Sequence, residues 1–296
     1  MNSPQAYDVV EDDETFGRCL CIKSSWDDHY LEVMAEENID SLRLSFSLGW
    51  RDSDVGFLSK CHGLRGLEIY SWKVTDLGPA QELDKLRFLG IQADIKRAFD
   101  LSSFPGLRTL KLFWKPKVRG VETLTSLSEM NIVDYPFGDF RPISSLSNLK
   151  RIHVTSKILQ SFDGLGEANL LRVLDLSKCN RLNDAEALCR LEGLEEIRLA
   201  NCGQLSAIPP LSDLASLRVL ELQECGEQPS LDFIIGCNSL RLLDFQGTNI
   251  TNGDLSPILE LGGLRELVFD DRPHYSIRRR ALLGRLKKKG KRRWLF

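Results

Sequence analysis

Carboxylates and histidines are the side chains of this chain that could take part in acid–base catalysis. The 42 Asp and Glu residues are so numerous that pairs such as Asp175 and Glu196 arise by chance and carry no weight as a glycosidase dyad. The four histidines are His29, His62, His153 and His274. We expect His153 on the exposed face of a strand, but no Ser or Cys nucleophile with an orienting acid is indicated around it.

Motifs that hold phosphates or catalytic metal ions are missing from the sequence. It contains no GxxxxGK(S/T), no GxGxxG after a strand, and no HExxH. We therefore expect a protein that is not an enzyme and that binds no cofactor.

The eight cysteines could instead be metal ligands or disulfide partners. Cys179, Cys202 and Cys225 recur every 23 residues, and we expect them to stack as a column of small, buried, reduced thiols. Reduced thiols favour a cytoplasmic location. The alternative is a metal site formed by Cys19 and Cys21 or by the stacked column, but the single spacer residue between Cys19 and Cys21 is too short for the common zinc knuckle. No metal is expected.

One short phrase occurs four times in residues 171–250. It reads LRVLDLSKC from Leu171, LEEIRLANC from Leu194, LRVLELQEC from Leu217 and LRLLDFQGT from Leu240. Each phrase begins 23 residues after the previous one, with apolar residues at its first, fourth and sixth places and Cys or Thr at its ninth. A fixed period in the twenties is typical of a repeat protein. Apolar residues two apart share one face of a strand.

The same pattern extends, less regularly, towards the N-terminus and predicts twelve strands. Their fourth-place residues, 20 to 25 positions apart, are Leu20, Leu42, Leu67, Leu89, Leu110, Met130, Ile152, Leu174, Ile197, Leu220, Leu243 and Leu267. The segments between strands are short and rich in Ser, Gly and Pro, which favours 3₁₀ turns. Residues 184–191 and 255–261 are the better helix candidates. Asp27 and Asp28 could cap a further helix, through Tyr30, Leu31, Met34 and Ala35.

This pattern resembles the leucine-rich repeat superfamily over residues 17–271, and is closest to the short-repeat classes of phosphatase regulators and bacterial internalins. The asparagine usual at the ninth place is replaced by Cys179, Cys202, Cys225 and Thr248. The resemblance implies an α/β solenoid, an arc with a parallel concave sheet of about twelve strands and with short helices and 3₁₀ turns on its convex side. We expect a polar lead-in over residues 1–16, the solenoid over 17–275 and a basic cap or tail over 276–296.

The third, fifth, seventh and eighth places of such repeats project from the concave face. We expect partner-binding residues there, with aromatic rings in the N-terminal half and carboxylates in the C-terminal half. The candidates are Phe46, Tyr70, Phe88, Lys111, Phe113, Trp114, Tyr135, His153, Asp175, Glu196, Arg198, Glu221, Glu224, Asp244 and Asp270. Two alternatives remain: a register shifted by one residue would bury Phe88 and Phe113, and the carboxylates could form a solvated face.

Charge is distributed unevenly along the chain. The net charge of the whole chain is −3. Residues 278–296 contain ten Lys and Arg and no acid, whereas residues 171–271 contain 17 Asp and Glu and 8 Lys and Arg. In the basic segment Ile277, Ala281, Leu282 and Leu286 could form the apolar stripe of a capping helix. Its basic cluster, residues 287–293, could alternatively bind nucleic acid or an anionic membrane. Trp294, Leu295 and Phe296 could fold back on the core.

These observations predict a non-catalytic, cytoplasmic protein that binds a protein partner on its concave face and is a monomer when unbound. The acidic half would suit an immunity-type or inhibitor-type protein that masks a basic effector. Two alternatives are association with nucleic acid or an anionic membrane through the tail, and a scaffold similar to phosphatase regulators. No run of 18 apolar residues occurs, so no transmembrane span is expected.

Overall fold

The computed structural model describes residues 6–12, 17–166 and 168–288, and it divides the chain into two compact units, Met1–Val133 and Asp134–Phe296. Within the described residues, side chains are described for all except those of positions 12, 287 and 288. Both units are built from short strands joined by turns and 3₁₀ helices.

Seven strands of the N-terminal unit pair into one sheet, and two shorter ones pair separately. In chain order they are β1 (Tyr7–Asp12), β2 (Gly17–Ile22), β3 (Ser41–Ser45), β4 (Gly66–Tyr70), β5 (Phe88–Gln92), β6 (Phe99–Asp100), β7 (Thr109–Phe113), β8 (Val118–Arg119) and β9 (Glu129–Val133). Strands β2, β3, β4, β5, β7 and β9 lie parallel in that order, and β6 pairs in parallel with β8. Leu42 lies between Leu20 and Leu67, and Leu110 between Leu89 and Met130.

The described part of the C-terminal unit contains six parallel strands. They are β10 (Arg151–Thr155), β11 (Val173–Ser177), β12 (Glu196–Ala200), β13 (Val219–Gln223), β14 (Leu242–Asp244) and β15 (Glu266–Val268). Ile152, Leu174, Ile197, Leu220, Leu243 and Leu267 face one another in register. All twelve predicted strands are therefore confirmed, with the predicted register in both halves.

The inward-facing residues explain why these strands form. The leucines and isoleucines at the fourth and sixth places are buried, and successive side chains on a strand point to opposite faces. Each repeat thus buries two large apolar groups on one side of its sheet and leaves the other side for different side chains. The predicted column of Cys179, Cys202 and Cys225 is also buried.

Helical structure in the described residues is mostly 3₁₀. The 3₁₀ helices of the two units are Phe46–Leu48, Gly56–Lys60, Gly78–Glu82, Leu101–Ser103, Val121–Thr123, Arg141–Ile143, Glu186–Arg190, Asp232–Ile234 and Ser256–Glu260. The two helix candidates at residues 184–191 and 255–261 are therefore 3₁₀ helices of five residues.

The predicted helix after Trp26 is α1 (His29–Glu36). The Asp27 carboxylate accepts a hydrogen bond from the His29 backbone N–H at 2.9 Å, whereas Asp28 makes no side-chain cap. The helix buries Tyr30 and Val33.

The polar lead-in predicted over residues 1–16 contains a strand at Tyr7–Asp12. This segment is β1, which pairs antiparallel with β2 so that Tyr7 faces Ile22 and Asp12 faces Gly17. An unpaired edge strand exposes a row of backbone donors and acceptors. Strand β1 satisfies that edge of β2, and this backbone pairing outweighs the polar composition of the segment.

The basic C-terminal segment contains the predicted helix, α2 (Arg279–Lys288). It buries Leu282, Leu283 and Leu286, so these leucines cover the last repeat as a cap does. Ala281, which the sequence analysis placed in the apolar stripe, is exposed instead, because Leu283 takes its role. The side chains of the basic cluster at residues 287–293, and Trp294, Leu295 and Phe296, lie outside the described residues.

Candidate functional site

Each sheet has an outer face, formed by the third, fifth and seventh residues of every repeat, opposite the buried leucines. We call these the N-terminal outer face (strands β2–β5, β7 and β9) and the C-terminal outer face (strands β10–β15). Every predicted partner-binding residue lies on one of these faces or in the turn that follows its strands.

An aromatic cleft opens beside the N-terminal outer face. Its volume is about 560 Å³, which is within the range of ligand pockets. The residues that line it are Ser45, Phe46, Ser47, Tyr70, Trp72, Lys73 and Gln92. Phe46 is 44% exposed and Trp72 is 50% exposed. Large rings this accessible are a feature of binding surfaces.

Trp72 is absent from the predicted site because of the way its strand ends. In regular repeats the eighth residue has a left-handed backbone, as in Asp134, Lys178, Asn201 and Glu224, and the ninth residue is then buried. After β4 the backbone does not turn in this way: Ser71, the eighth residue, is buried, and the ninth, Trp72, projects outwards. Ser or Ala at the eighth place is the sequence signal for this turn, as at Ser71, Ala93 and Ser156, whereas Gly247 has the left-handed turn.

The same turn rule corrects the prediction for Tyr135. It follows Asp134, whose φ is 59°, and is therefore buried rather than displayed. Its hydroxyl donates a hydrogen bond to the Asp139 carbonyl oxygen at 3.1 Å. Burial raises the pKa of Tyr135, so this side chain is a core residue.

Phe88 is also covered, although its predicted register is right. It pairs with Gly66 and Thr109, which places it on the outer face, yet only 1% of it is exposed. The Lys111 ammonium lies 5.2 Å from the centroid of its ring. Phe88 thus packs beneath the exposed side chains of this face. Phe113 and Trp114 are both half-buried.

Basic side chains surround the aromatic cleft. The Arg51 guanidinium lies 4.0 Å from the centroid of the Phe46 ring, and the Lys73 ammonium lies 5.6 Å from it. The Lys115 ammonium is 4.9 Å from the Trp72 ring centroid, and Phe113 meets the same ring edge-on at 5.8 Å. Cations over aromatic rings are held by the negative ring face.

A buried ion pair lies next to the cleft. Arg43 on β3 pairs with Glu68 on β4, and their side chains are 23% and 5% exposed. The Tyr70 hydroxyl donates a hydrogen bond to Glu68 at 2.7 Å, and burial together with the Glu68 charge raises the pKa of Tyr70. A Cβ at Gly90 would lie 2.7 Å from that hydroxyl oxygen. Gly90 therefore provides the space in which Tyr70 reaches Glu68.

Ion pairs also cross the C-terminal outer face, but they are more exposed. His153 Nδ1 lies 3.2 Å from Asp175 Oδ2. Arg198 pairs with Glu196 on its own strand and, at 3.4 Å, with Glu221 on the next. Burial lowers the pKa of Arg198, but the hydrogen bonds and charges of the two glutamates more than compensate and raise it. Burial raises the pKa of Glu221, against the opposing effect of Arg198.

The other acids of this face differ in their exposure. Asp244 is buried and accepts a hydrogen bond from Gln223 Nε2 at 2.6 Å. Asp270 is exposed and accepts one from the Gly247 backbone N–H at 2.8 Å. Glu224 is exposed at the eighth place. Of the predicted acids, Glu224 and Asp270 are thus the most accessible.

Over the third, fifth, seventh and eighth places of its repeats, the C-terminal outer face is acidic. It carries eight carboxylates and three Lys or Arg side chains, a balance of −5 with His153 neutral. Across β12 to β15 the third-place column reads Glu196, Val219, Leu242 and Glu266. The two apolar members are half-buried and lie side by side between acids.

Solved structures of known proteins share this arrangement of strands. An internalin of Listeria monocytogenes matches with a TM-score of 0.62 and 19% identity, over 79% of this chain and 67% of its own. A leucine-rich repeat protein of Leptospira interrogans matches with a TM-score of 0.51 and 18% identity, over 87% and 78%. A TDR receptor matches with a TM-score of 0.63 and 18% identity, over 92% of this chain and about half (49%) of the receptor. The fold is that of the leucine-rich repeat proteins.

Comparison of the sequence with known families and curated proteins shows no further relationship beyond this leucine-rich repeat fold. No protein-family model matches the chain, and no curated protein matches it. Repeat folds of this kind present large, rigid surfaces and serve in general as protein-interaction modules.

Within the described residues of this leucine-rich repeat chain, no three His, Cys, Asp or Glu side chains are arranged to hold a metal ion. In the same part of the chain, no helix has the length and apolar character needed to cross a membrane.

Proposed function

We propose that this protein is a non-catalytic interaction module that holds a basic protein partner on its C-terminal outer face, as an immunity-type or inhibitor-type protein masks a basic effector. The observation that supports this is the half-buried pair Val219 and Leu242, flanked by Glu196 and Glu266 and close in sequence to the exposed Glu224.

The apolar pair and the acids have different tasks in such a complex. Partly exposed Val219 and Leu242 lose their remaining contact with water when a partner covers them, which stabilises the complex. The surrounding carboxylates attract a basic surface over a distance of about 10 Å at 0.1 M salt and thereby accelerate its approach. The face therefore combines a small apolar centre with an acidic rim.

Only part of the acidic charge is available for a partner. Asp175 is next to His153, and Glu196 and Glu221 share Arg198. Glu224 and Glu266 have no such cation among the described residues. We therefore assign the attraction of a basic partner chiefly to Glu224 and Glu266, and the alignment of the face to Arg198.

The test is co-purification of partners from cells of the source organism with the wild-type chain and with the double variant Glu224→Lys/Glu266→Lys. Lysine fits the first position, because Lys178 occupies the same place of its own repeat with a similar backbone angle, φ 56° against 49°. We expect a basic protein to co-purify with the wild-type chain, to be released by salt, and to be lost with the double variant.

The matched control reverses two acids that lie away from the outer face, Glu186→Lys/Glu260→Lys. Both residues are exposed members of 3₁₀ helices on the return segments. The control changes the net charge equally but should retain the partner. Purified partner and protein must then form a complex, and the complex must suppress the activity of the partner. Equal loss of the partner with both double variants, or a complex that leaves its activity unchanged, would contradict the proposal.

A further inference from the structure

We propose that the aromatic cleft of the N-terminal outer face is a second binding site, specific for an acidic peptide segment that carries an apolar anchor residue. This site goes beyond the basic partner proposed above and does not depend on it. Its four decisive residues are Phe46, Trp72, Lys73 and Lys115.

The first argument is the charge around the cleft. Arg51, Lys73 and Lys115 have no carboxylate within ion-pair distance among the described residues. Arg51 donates only to the Phe46 and Trp50 carbonyl oxygens, and Lys73 donates to the Arg51 carbonyl oxygen at 3.3 Å. The neighbouring acid, Glu68, is already held by Arg43 and Tyr70. These three cations are therefore available to bind carboxylates of a partner.

The second argument is the shape and lining of the cleft. A volume of about 560 Å³ accommodates a few residues of an extended peptide and is too large for a single ion. None of the seven lining residues is acidic. The Gln92 side-chain amide makes no hydrogen bond to another described residue, so it can donate to and accept from a peptide backbone.

The third argument distinguishes a peptide from single-stranded nucleic acid. Nucleic-acid sites stack bases on open ring faces. Here Arg51 covers a face of Phe46 and Lys115 covers a face of Trp72, while Phe113 contacts Trp72 edge-on. These cations occupy ring faces on which a base would stack, whereas ring edges are electropositive and suit carboxylates. An acidic segment with a leucine or phenylalanine anchor satisfies both the cations and the rings.

The experiment measures fluorescence anisotropy of labelled eight-residue peptides with a central Leu or Phe flanked by glutamates. Matched probes replace the glutamates by lysines, or the central residue by alanine, and an eight-nucleotide oligothymidine represents nucleic acid. We expect binding of the acidic peptides only, weakened at least tenfold by the alanine centre and by raising salt from 50 to 200 mM.

Variants then locate the site. Lys73→Glu/Lys115→Glu and, separately, Trp72→Ala should each weaken binding of the acidic peptide at least tenfold. The control Lys85→Glu/Arg108→Glu reverses two exposed cations of the same unit outside the cleft and should bind within twofold of the wild type. Circular dichroism and thermal unfolding establish that every variant is folded.

Three results would overturn the proposal: no acidic peptide binds, the control loses as much affinity as the cleft variants, or oligothymidine binds and the peptides do not. None of these measurements involves Glu224 or Glu266. Failure of this site therefore leaves the proposal of a basic partner intact, and failure of that proposal leaves this site intact.

Discussion

The two outer faces lie opposite buried leucines of the same repeat pattern, but they differ in the sign of the charge that stays exposed. On the N-terminal outer face the acid Glu68 is buried in an ion pair with Arg43, and the cations Lys73 and Lys115 have no ion-pair partner in the part of the chain that the structure describes. On the C-terminal outer face Arg198 is fully engaged by two glutamates, and exposed acids remain in excess. The backbone thus fixes where side chains point, while local pairing decides which sign of charge a partner meets.

The largest expected effect separates the two ion pairs. Arg43→Met removes the partner of Glu68, whose side chain is 5% exposed, so it should lower the free energy of unfolding by about 3 kcal/mol, as expected when a buried charge loses its partner. Arg198→Met leaves carboxylates that are 24–32% exposed and should cost less than about 1 kcal/mol.

Urea unfolding of both arginine variants measures these free energies. Glu68→Gln in the Arg43→Met background is the control, because it removes the orphaned charge and should recover part of the loss. Equal costs for Arg43→Met and Arg198→Met would show that the two faces do not differ in the burial of their ion pairs.

A second prediction concerns Thr248, which takes the place of the usual ninth-position asparagine. Its buried hydroxyl accepts a hydrogen bond from the Cys225 N–H at 3.0 Å and also contacts the Leu222 carbonyl oxygen. Thr248→Val keeps the shape but leaves these buried groups without a partner, so we expect a loss of about 2 kcal/mol. Thr248→Ser retains the hydroxyl and should cost about 1 kcal/mol or less for the lost methyl group. Equal losses in thermal unfolding would mean that the hydroxyl plays no part.

A third prediction tests the rule that distinguishes the two kinds of turn. Lys178, at φ 56°, should tolerate glycine, whereas Lys178→Val forces a β-branched residue into the left-handed region at a cost of about 1–2 kcal/mol. Lys157 is the matched control, because it is exposed after the buried Ser156 and has no positive φ. Lys157→Val should change the free energy of unfolding by less than about 0.5 kcal/mol. If both valine variants unfold alike, the turn rule is wrong.

The smallest expected effect comes from Glu221. Because its pKa is raised in the folded state, the folded protein binds a proton more tightly than the unfolded chain, and ionisation of Glu221 opposes folding as pH rises from the unfolded pKa through the folded one. Glu221→Gln should therefore stabilise the protein slightly at pH 7, by less than about 1 kcal/mol, and this advantage should shrink on acidification below the unfolded pKa. Melting temperatures at pH 7 and pH 4 compare the two proteins, and a difference that grows towards pH 4 contradicts this sign.

The sequence alone predicts the strands well because their burial rule is local. The LxxLxL spacing identifies all twelve fourth-place residues, including the less regular ones at Leu89 and Met130. Strand β1 is not predictable in this way, since its stability comes from pairing with β2 rather than from its own composition. The helix candidates at residues 184–191 and 255–261 each contain a 3₁₀ helix, a type of helix that apolar spacing alone does not distinguish from one or two turns of α-helix.

The candidate site is less predictable because exposure depends on neighbouring repeats. The register of Phe88 is correct, yet its side chain is buried, with Lys111 from the next strand over its ring. The turn after each strand determines whether the ninth residue is exposed, as Trp72 is, or buried, as Tyr135 is. The difference lies in the φ angle of the preceding residue. In the C-terminal half the acids lie at the places that the sequence predicts. The sequence does not show, however, that Arg198 forms ion pairs with two of them, Glu196 and Glu221.

Strand β1 has a further consequence for how copies of this protein behave at high concentration. Repeats of a parallel sheet add to one another with a single strand polarity, so a sheet that ended in β2 could pair with the last repeat strand of a neighbouring molecule. The antiparallel β1 reverses the polarity at this end, and a charged side chain on an edge strand, such as that of the exposed Glu11, disfavours pairing with another molecule. Strand β1 therefore hinders the addition of further molecules to this edge of the sheet, and in this respect it protects the protein against fibre formation.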